Sequence, residues 1–236
     1  MGLLTKCGYQ LLYWLALIVS LFYLVVFVKY LYLHGFASST QSIKAQFFLK
    51  QFKLLNIELE IPDLNLGDFS NLKITQQLAY IKSQINPVEE YTLIGSSLGG
   101  LLSLITAEGC HMVKKLILLA PALEIKNLWS RELGDEGIVA WQENRFCNVY
   151  HSGYKSQIPL SYGFIEDMQT ITDRGFSRIL PVLIIHGKND ETIPLAVSYR
   201  YKDTNRMAHV VELDSGHGLD DRLEEIWQLS KAYLFE

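Results

Sequence analysis

Short apolar runs alternate with amphipathic stretches from residue 29 to the end of the chain, and this alternation constrains the fold more than any other feature. Short apolar runs between helical patterns are typical of parallel strands that are buried on both faces. The predicted strands are Tyr30–Leu33, Ile57–Ile61, Tyr91–Ile94, Lys115–Leu119, Val182–His186 and His209–Leu213. The predicted helices are Thr40–Phe52, Asn71–Gln84, Leu98–Glu108, Leu160–Arg174, Leu195–Asp203 and Leu219–Phe235. This order predicts a three-layer α/β fold with a doubly wound, mainly parallel sheet of about six strands.

The stretch from Glu124 to Gln157 interrupts this alternation and is too long for an ordinary connection. We expect a short lid insertion at about 124–157, within one domain that covers residues 29–236. Such an insertion would lie over the carboxyl edge of the sheet, where ligands bind in open α/β folds. Its aromatic residues favour an apolar acyl group as ligand, or they cover the core; they are Trp129, Trp141, Phe146, Tyr150 and Tyr154.

The N-terminal segment is much more hydrophobic than the rest of the chain. Residues 11–28 contain no charge, and Ser20 is their one polar side chain. This length nearly reaches the roughly 20 residues of a membrane-spanning helix, so we expect a hydrophobic helix within residues 1–28. It is a membrane anchor, a signal peptide without an evident cleavage site, or a segment from a start site assigned too far upstream. The expected location is cytoplasmic, with association at the inner leaflet if residues 11–28 insert into a membrane.

Composition excludes several classes of partner. The net charge of -4 provides no general attraction to nucleic acid. The cysteines are odd in number and widely spaced, which indicates a reducing compartment and no disulfide framework; they are Cys7, Cys110 and Cys147.

The chain contains no H-E-x-x-H motif, so we expect no metal and no cofactor, although a site built from His34, His186 and His217 stays an alternative. The oligomeric state is left open.

A candidate nucleophile lies in the pentapeptide G-S-S-L-G at residues 95–99, which follows the predicted strand Tyr91–Ile94 and begins a helix. This is the G-x-S-x-G pattern in a strand–turn–helix context, where a sharp turn holds a serine hydroxyl above the sheet. Glycines two positions before and after the serine let neighbouring backbones approach. Ser97 has glycine at both of these positions, Gly95 and Gly99, and the preceding serine does not. Ser97 is therefore the predicted nucleophile.

A serine hydroxyl needs a base, and a catalytic histidine needs a carboxylate that holds its tautomer. His217 lies in D-S-G-H-G after the last predicted strand, and Asp190 ends H-G-K-N-D after the strand before it. Glu124, after the fourth predicted strand, is a second candidate for the acid. The order Ser97, Asp190, His217 is that of α/β-hydrolases and differs from the orders of chymotrypsin and subtilisin.

Charge that develops on a substrate carbonyl oxygen requires preset hydrogen-bond donors. One predicted donor is the backbone N–H of Leu98, the residue after the nucleophile. The second is expected in the loop after the first strand, where the sequence reads His34-Gly35-Phe36. Gly35 permits the turn, the N–H of Phe36 is the predicted donor, and His34 is expected to shape the loop.

These motifs together resemble those of α/β-hydrolases and, more narrowly, of the small bacterial YqiA-type esterases. The shared segments are Y-L-H-G-F-x-S-S at residues 32–39, G-S-S-L-G-G at 95–100, L-A-P-A at 119–122 and the late H-G-x-x-D. The likeness covers about residues 29–236, and the first 28 residues depart from it.

The resemblance implies an α/β-hydrolase fold in which Ser97, Asp190 and His217 form a catalytic triad. It also implies hydrolysis of carboxylic esters through an acyl-enzyme, with short acyl esters or thioesters as substrates and without a cofactor. The expected partner is thus a small-molecule ester. A non-catalytic binding protein with the same fold, tethered to a membrane by its N-terminal segment, is the alternative function.

Overall fold

The computed structural model describes residues 28–125, 128–171 and 175–235. Seven strands lie within these ranges: β1 (Val28–Leu33), β2 (Glu90–Ser96), β3 (Val113–Leu119), β4 (Phe146–His151), β5 (Ser156–Ser161), β6 (Val182–Gly187) and β7 (Ala208–Leu213). Five of them form one parallel sheet in the order β1-β2-β3-β6-β7, and β4 and β5 form a separate antiparallel hairpin. The α/β fold with a mainly parallel sheet is therefore confirmed.

Helices cover both faces of the sheet. They are α1 (Ile43–Leu54), α2 (Ile74–Ser83), α3 (Leu98–Gly109), α4 (Leu128–Asn144), α5 (Gly163–Gln169), α6 (Ala196–Thr204) and α7 (Leu223–Phe235). Helices α1 and α7 pack on one face, and α2, α3, α5 and α6 contribute to the core on the other. Successive strand residues such as Leu116 and Ile117 point to opposite cores and are both buried, which explains the continuous apolar runs.

The predicted strand Ile57–Ile61 is wrong, and the sheet has five strands where about six were expected. Glu60 makes an isolated bridge to Leu31, in which its N–H donates to the Tyr30 carbonyl at 2.9 Å and its carbonyl accepts from Tyr32 at 2.8 Å. A parallel ladder would next require the N–H of residue 62. That residue is proline, which has no N–H to donate, so pairing stops after one residue.

The predicted helix Leu160–Arg174 begins too early. Leu160 belongs to β5 and pairs with Cys147 of β4, and the helix itself covers only Gly163–Gln169. The pairing partner is provided by the insertion, so tertiary contact overrides the local helical pattern. The insertion itself consists of α4, which is kinked at Gly134, followed by the hairpin.

The predicted N-terminal helix in residues 1–28, with its membrane segment 11–28, lies outside the described residues except for Val28, which begins β1. Among the helices of the described ranges, none has both the length and the hydropathy that a bilayer-spanning segment requires.

Candidate active site

Ser97 occupies a sharp turn between the end of β2 and the start of α3. Its φ of 52° and ψ of -115° are unusual for a residue with a side chain, which indicates backbone strain at this position. A Cβ on Gly99 would lie 2.0 Å from the carbonyl oxygen of Leu33, and one on Gly95 would lie 2.3 Å from the carbonyl oxygen of Gly99. Glycine is therefore required at both positions, because α3 touches β1 and β2 through bare backbone.

The structure brings Ser97, His217 and Asp190 into one hydrogen-bonded chain. His217 Nε2 lies 3.0 Å from Ser97 Oγ, and His217 Nδ1 lies 2.8 Å from Asp190 Oδ2. These residues come from loops at the carboxyl ends of β2, β6 and β7, which meet at one edge of a parallel sheet. Glu124, the second candidate for the acid, instead forms an exposed ion pair with Arg200 at 2.6 Å.

The Asp190 side chain is fully buried and accepts four hydrogen bonds. Oδ2 faces His217 Nδ1 at 2.8 Å and His186 Nε2 at 3.0 Å, and Oδ1 accepts from the backbone N–H groups of Thr192 at 3.0 Å and Ile193 at 2.7 Å. Burial by itself would raise the pKa of Asp190, but the hydrogen bonds from His186, His217 and Ile193 outweigh it and hold that pKa well below its usual range. The group is thus a carboxylate.

His186 contacts and orients Asp190, although the sequence indicated it only as an alternative metal ligand. Its ring is fully buried, and Nε2 faces two acceptors, the Asp190 carboxylate and the Ile193 carbonyl, each at 3.0 Å. Nε2 must therefore carry the hydrogen, and Nδ1 accepts from the Ser198 hydroxyl at 2.7 Å. The available signal was its place four residues before the aspartate in H-G-x-x-D. In the described ranges no group of three or more histidine, cysteine or acidic side chains is arranged to hold a metal ion.

His34 fixes the peptide that carries the predicted Phe36 donor. The N–H of Leu64 donates to His34 Nε2 at 3.0 Å, so the ring hydrogen lies on Nδ1, which donates to the Gly35 carbonyl at 2.9 Å. That carbonyl and the N–H of Phe36 belong to the same planar peptide unit, so holding one orients the other. Burial lowers the pKa of His34 and keeps its ring neutral.

The two predicted oxyanion donors lie on segments that flank Ser97. The N–H of Leu98 is in the first turn of α3, where a helix provides no acceptor for it. The loop with Phe36 passes close by, since a Cβ on Gly35 would lie 3.5 Å from the Cβ of Ser97.

A cleft of about 720 Å³ opens in front of Ser97 and His217. Phe36 lies in its wall, and behind it pack Phe69, Phe164 and Trp129 with ring centroids 5.2–5.5 Å away. Of the described insertion residues, those that line the cleft are polar or small, namely Ser152, Gly153 and Lys155. The insertion tryptophans turn inward: Trp129 packs against Trp141, whose ring N–H donates to the Leu160 carbonyl at 2.9 Å.

A five-stranded parallel sheet between two helical layers, with a serine elbow after β2, defines the α/β-hydrolase fold. Residues 29–234 match the family described as Uncharacterised protein family UPF0227, and this chain belongs to that family. The match confirms the resemblance that the motifs indicated. No curated protein matches the sequence.

Solved structures show the same fold. Est1E from Butyrivibrio proteoclasticus with bound ferulic acid is 20% identical, with a TM-score of 0.71 over 88% of this chain and 87% of that one. Alpha/beta hydrolase domain-containing protein 10 from mouse is 21% identical, with a TM-score of 0.68 over 86% and 88%. The esterase EaEST from Exiguobacterium antarcticum is 16% identical, with a TM-score of 0.57 over 88% and 92%.

Proposed function

We propose that this protein is a serine hydrolase that cleaves carboxylic esters, with thioesters as the alternative substrate class. One observation carries the proposal: Ser97, His217 and Asp190 form a continuous hydrogen-bonded chain at 3.0 and 2.8 Å beside an open cleft. The esterases among the structural neighbours support the same class of reaction.

In the proposed acylation, Ser97 Oγ attacks the substrate carbonyl carbon while His217 Nε2 takes the hydroxyl proton. The carboxylate of Asp190 keeps the other ring hydrogen on Nδ1 and stabilises the imidazolium. The N–H groups of Phe36 and Leu98 donate to the oxyanion. Collapse of the tetrahedral intermediate breaks the bond to the leaving oxygen, which receives the proton from His217, and the acyl group stays on Ser97.

Deacylation repeats these steps with water. His217 Nε2 takes a proton from water, whose oxygen attacks the acyl carbon, and the second tetrahedral intermediate releases the carboxylic acid. The proton returns from His217 to Ser97 Oγ. The nucleophile, the base and the donors all belong to the chain, so the proposed reaction uses no cofactor.

Labelling with a fluorophosphonate probe tests this assignment. The wild type should be labelled and should hydrolyse 4-nitrophenyl butyrate, and Ser97→Ala should lose both properties. Ser96→Ala is the matched control, because it removes a hydroxyl from the same turn, and it should keep the label. An unlabelled wild type, or equal labelling of Ser97→Ala, would contradict the proposal.

A non-catalytic binding protein with this fold is the competing function. It predicts a folded wild type with no label and no turnover on a panel of 4-nitrophenyl esters of increasing chain length. The short distances from His217 to both partners favour catalysis. Acyl thioesters in the same panel distinguish the two substrate classes.

A further inference from the structure

The wall of the cleft in front of Ser97 carries many hydrogen-bond donors. Besides Ser96 and Ser97, its lining includes four further serines and two lysines: Ser38, Ser39, Ser42, Ser152, Lys44 and Lys155. Ligand sites usually combine mainly apolar walls with a few polar groups that fix orientation and specificity. The concentration of donors here indicates that the substrate brings polar acceptors into the cleft.

The two lysines differ in their partners. Lys44 donates to the Gly218 carbonyl and forms an ion pair with Asp220 at 3.1 Å, so its charge is compensated. Asp220 is the one carboxylate among the described residues that line the cleft. Lys155 has no hydrogen bond or ion pair to any group that the structure describes, and its ammonium is the uncompensated positive charge of this cleft.

The turn that carries Lys155 is anchored to the oxyanion loop. The N–H and the hydroxyl of Ser152 both donate to the Ala37 carbonyl at 2.8 Å. The buried His151 contacts Asn65 at 3.1 Å, and the amide of Asn65 donates to the Ser38 carbonyl at 2.9 Å. These contacts hold the β4–β5 turn against the loop after β1, so the backbone of Lys155 has a defined place beside the reacting groups.

From these observations we propose that the substrate carries a negative charge, a carboxylate or a phosphate, on the part that occupies this cleft. Lys155 holds the anion. The inference rests on the proposed ester hydrolysis and names its substrate class. The anion can belong to the acyl part or to the leaving alcohol, and the two arms of the experiment separate these sources.

The experiment uses two pairs of esters that differ only by a methyl cap on the charge. For the acyl side, the pair is 4-nitrophenyl hydrogen adipate and methyl 4-nitrophenyl adipate. For the alcohol side, the pair is 4-acetoxybenzoate and methyl 4-acetoxybenzoate. We expect kcat/KM to favour the charged ester in at least one pair. Lys155→Gln should lower kcat/KM for that ester by about tenfold and leave the capped ester unchanged.

Lys50→Gln is the matched control, since it removes the same charge from an exposed position on α1 away from the cleft. Equal use of charged and capped esters by the wild type, or a preference that survives Lys155→Gln, overturns the anion site alone. Failure to cleave any of the four esters overturns the proposed hydrolysis and this inference together.

Discussion

Replacement of Asp190 by asparagine should abolish most of the activity through the tautomer of His217. The carboxylate oxygens accept from two ring N–H groups and two backbone N–H groups. The backbone N–H groups of Thr192 and Ile193 can only donate, so the side-chain oxygen of the asparagine must accept from them. Its NH₂ group then faces His217 and His186. His217 must then accept at Nδ1, which places its hydrogen on Nε2, toward Ser97.

The expected magnitude follows from this geometry. With a hydrogen on Nε2, the ring cannot take the Ser97 proton, and kcat should fall by about 10³- to 10⁴-fold. Two buried charge-assisted hydrogen bonds are lost at the same time, which should lower the free energy of unfolding by about 3 kcal/mol. The pKa of Asp190 lies below that of an unfolded aspartate, so its contribution to stability is present above about pH 4 and is lost as the pH falls further.

The assay combines hydrolysis of 4-nitrophenyl butyrate with urea denaturation at pH 7. Asp214→Asn is the matched control, because Asp214 is an exposed aspartate near the same loop that accepts a hydrogen bond from Asn189 at 2.9 Å. It should keep its kcat within about threefold, as surface substitutions have small effects. A value of kcat for Asp190→Asn within tenfold of the wild type, in a folded protein, would refute the reasoning.

Two further changes probe the scaffold around Ser97. Gly99→Ala would place a Cβ 2.0 Å from the Leu33 carbonyl oxygen, so β1 and α3 must separate. We expect the free energy of unfolding, measured by urea denaturation, to decrease by more than about 3 kcal/mol. His34→Gln should flatten the dependence of stability on pH. Burial lowers the pKa of His34, so the unfolded chain binds the proton more readily than the folded protein does. As the pH decreases below about 6.5, the free energy of unfolding should therefore decrease, by at most about 1.4 kcal/mol per pH unit.

Each of these changes has a control on the same chain. Gly175→Ala introduces a methyl group where no atom of the described residues lies within 4 Å, so it should leave the denaturation midpoint unchanged. His209→Gln replaces an exposed histidine and should keep the pH dependence of the wild type. Wild-type stability for Gly99→Ala, or an unaltered pH slope between about pH 5 and 6.5 for His34→Gln, would show that the contacts described do not carry these effects.

The elements nearest the site were predictable because their determinants are local. Continuous apolar runs predict strands that are buried on both faces. In the structure, the runs coincide with β2, β3, β6 and β7. The elbow is encoded in five consecutive residues, and the close approaches of Gly95 and Gly99 give the reason for that pattern.

The two errors in secondary structure have different causes. The proline at residue 62 directly follows the predicted strand Ile57–Ile61 and ends its pairing with β1 after Glu60, so this limit was visible in the sequence. Leu160 is in a strand because Cys147 provides a partner. That pairing leaves no periodic signal in its own segment, so inspection of one window could not reveal it.

By itself, the sequence determined the class of fold and the position of the turn that carries the proposed nucleophile, since both depend on hydrophobic periodicity and on glycines at fixed spacing. The tertiary structure alone decided the character of the cleft. Aromatic side chains are expected from the insertion, but Trp141 of α4 is buried in the core against the hairpin, and the turn of the hairpin brings Lys155 to the cleft. Which face of a strand or turn points inward depends on pairing and packing with other segments, and these act between residues far apart in the chain.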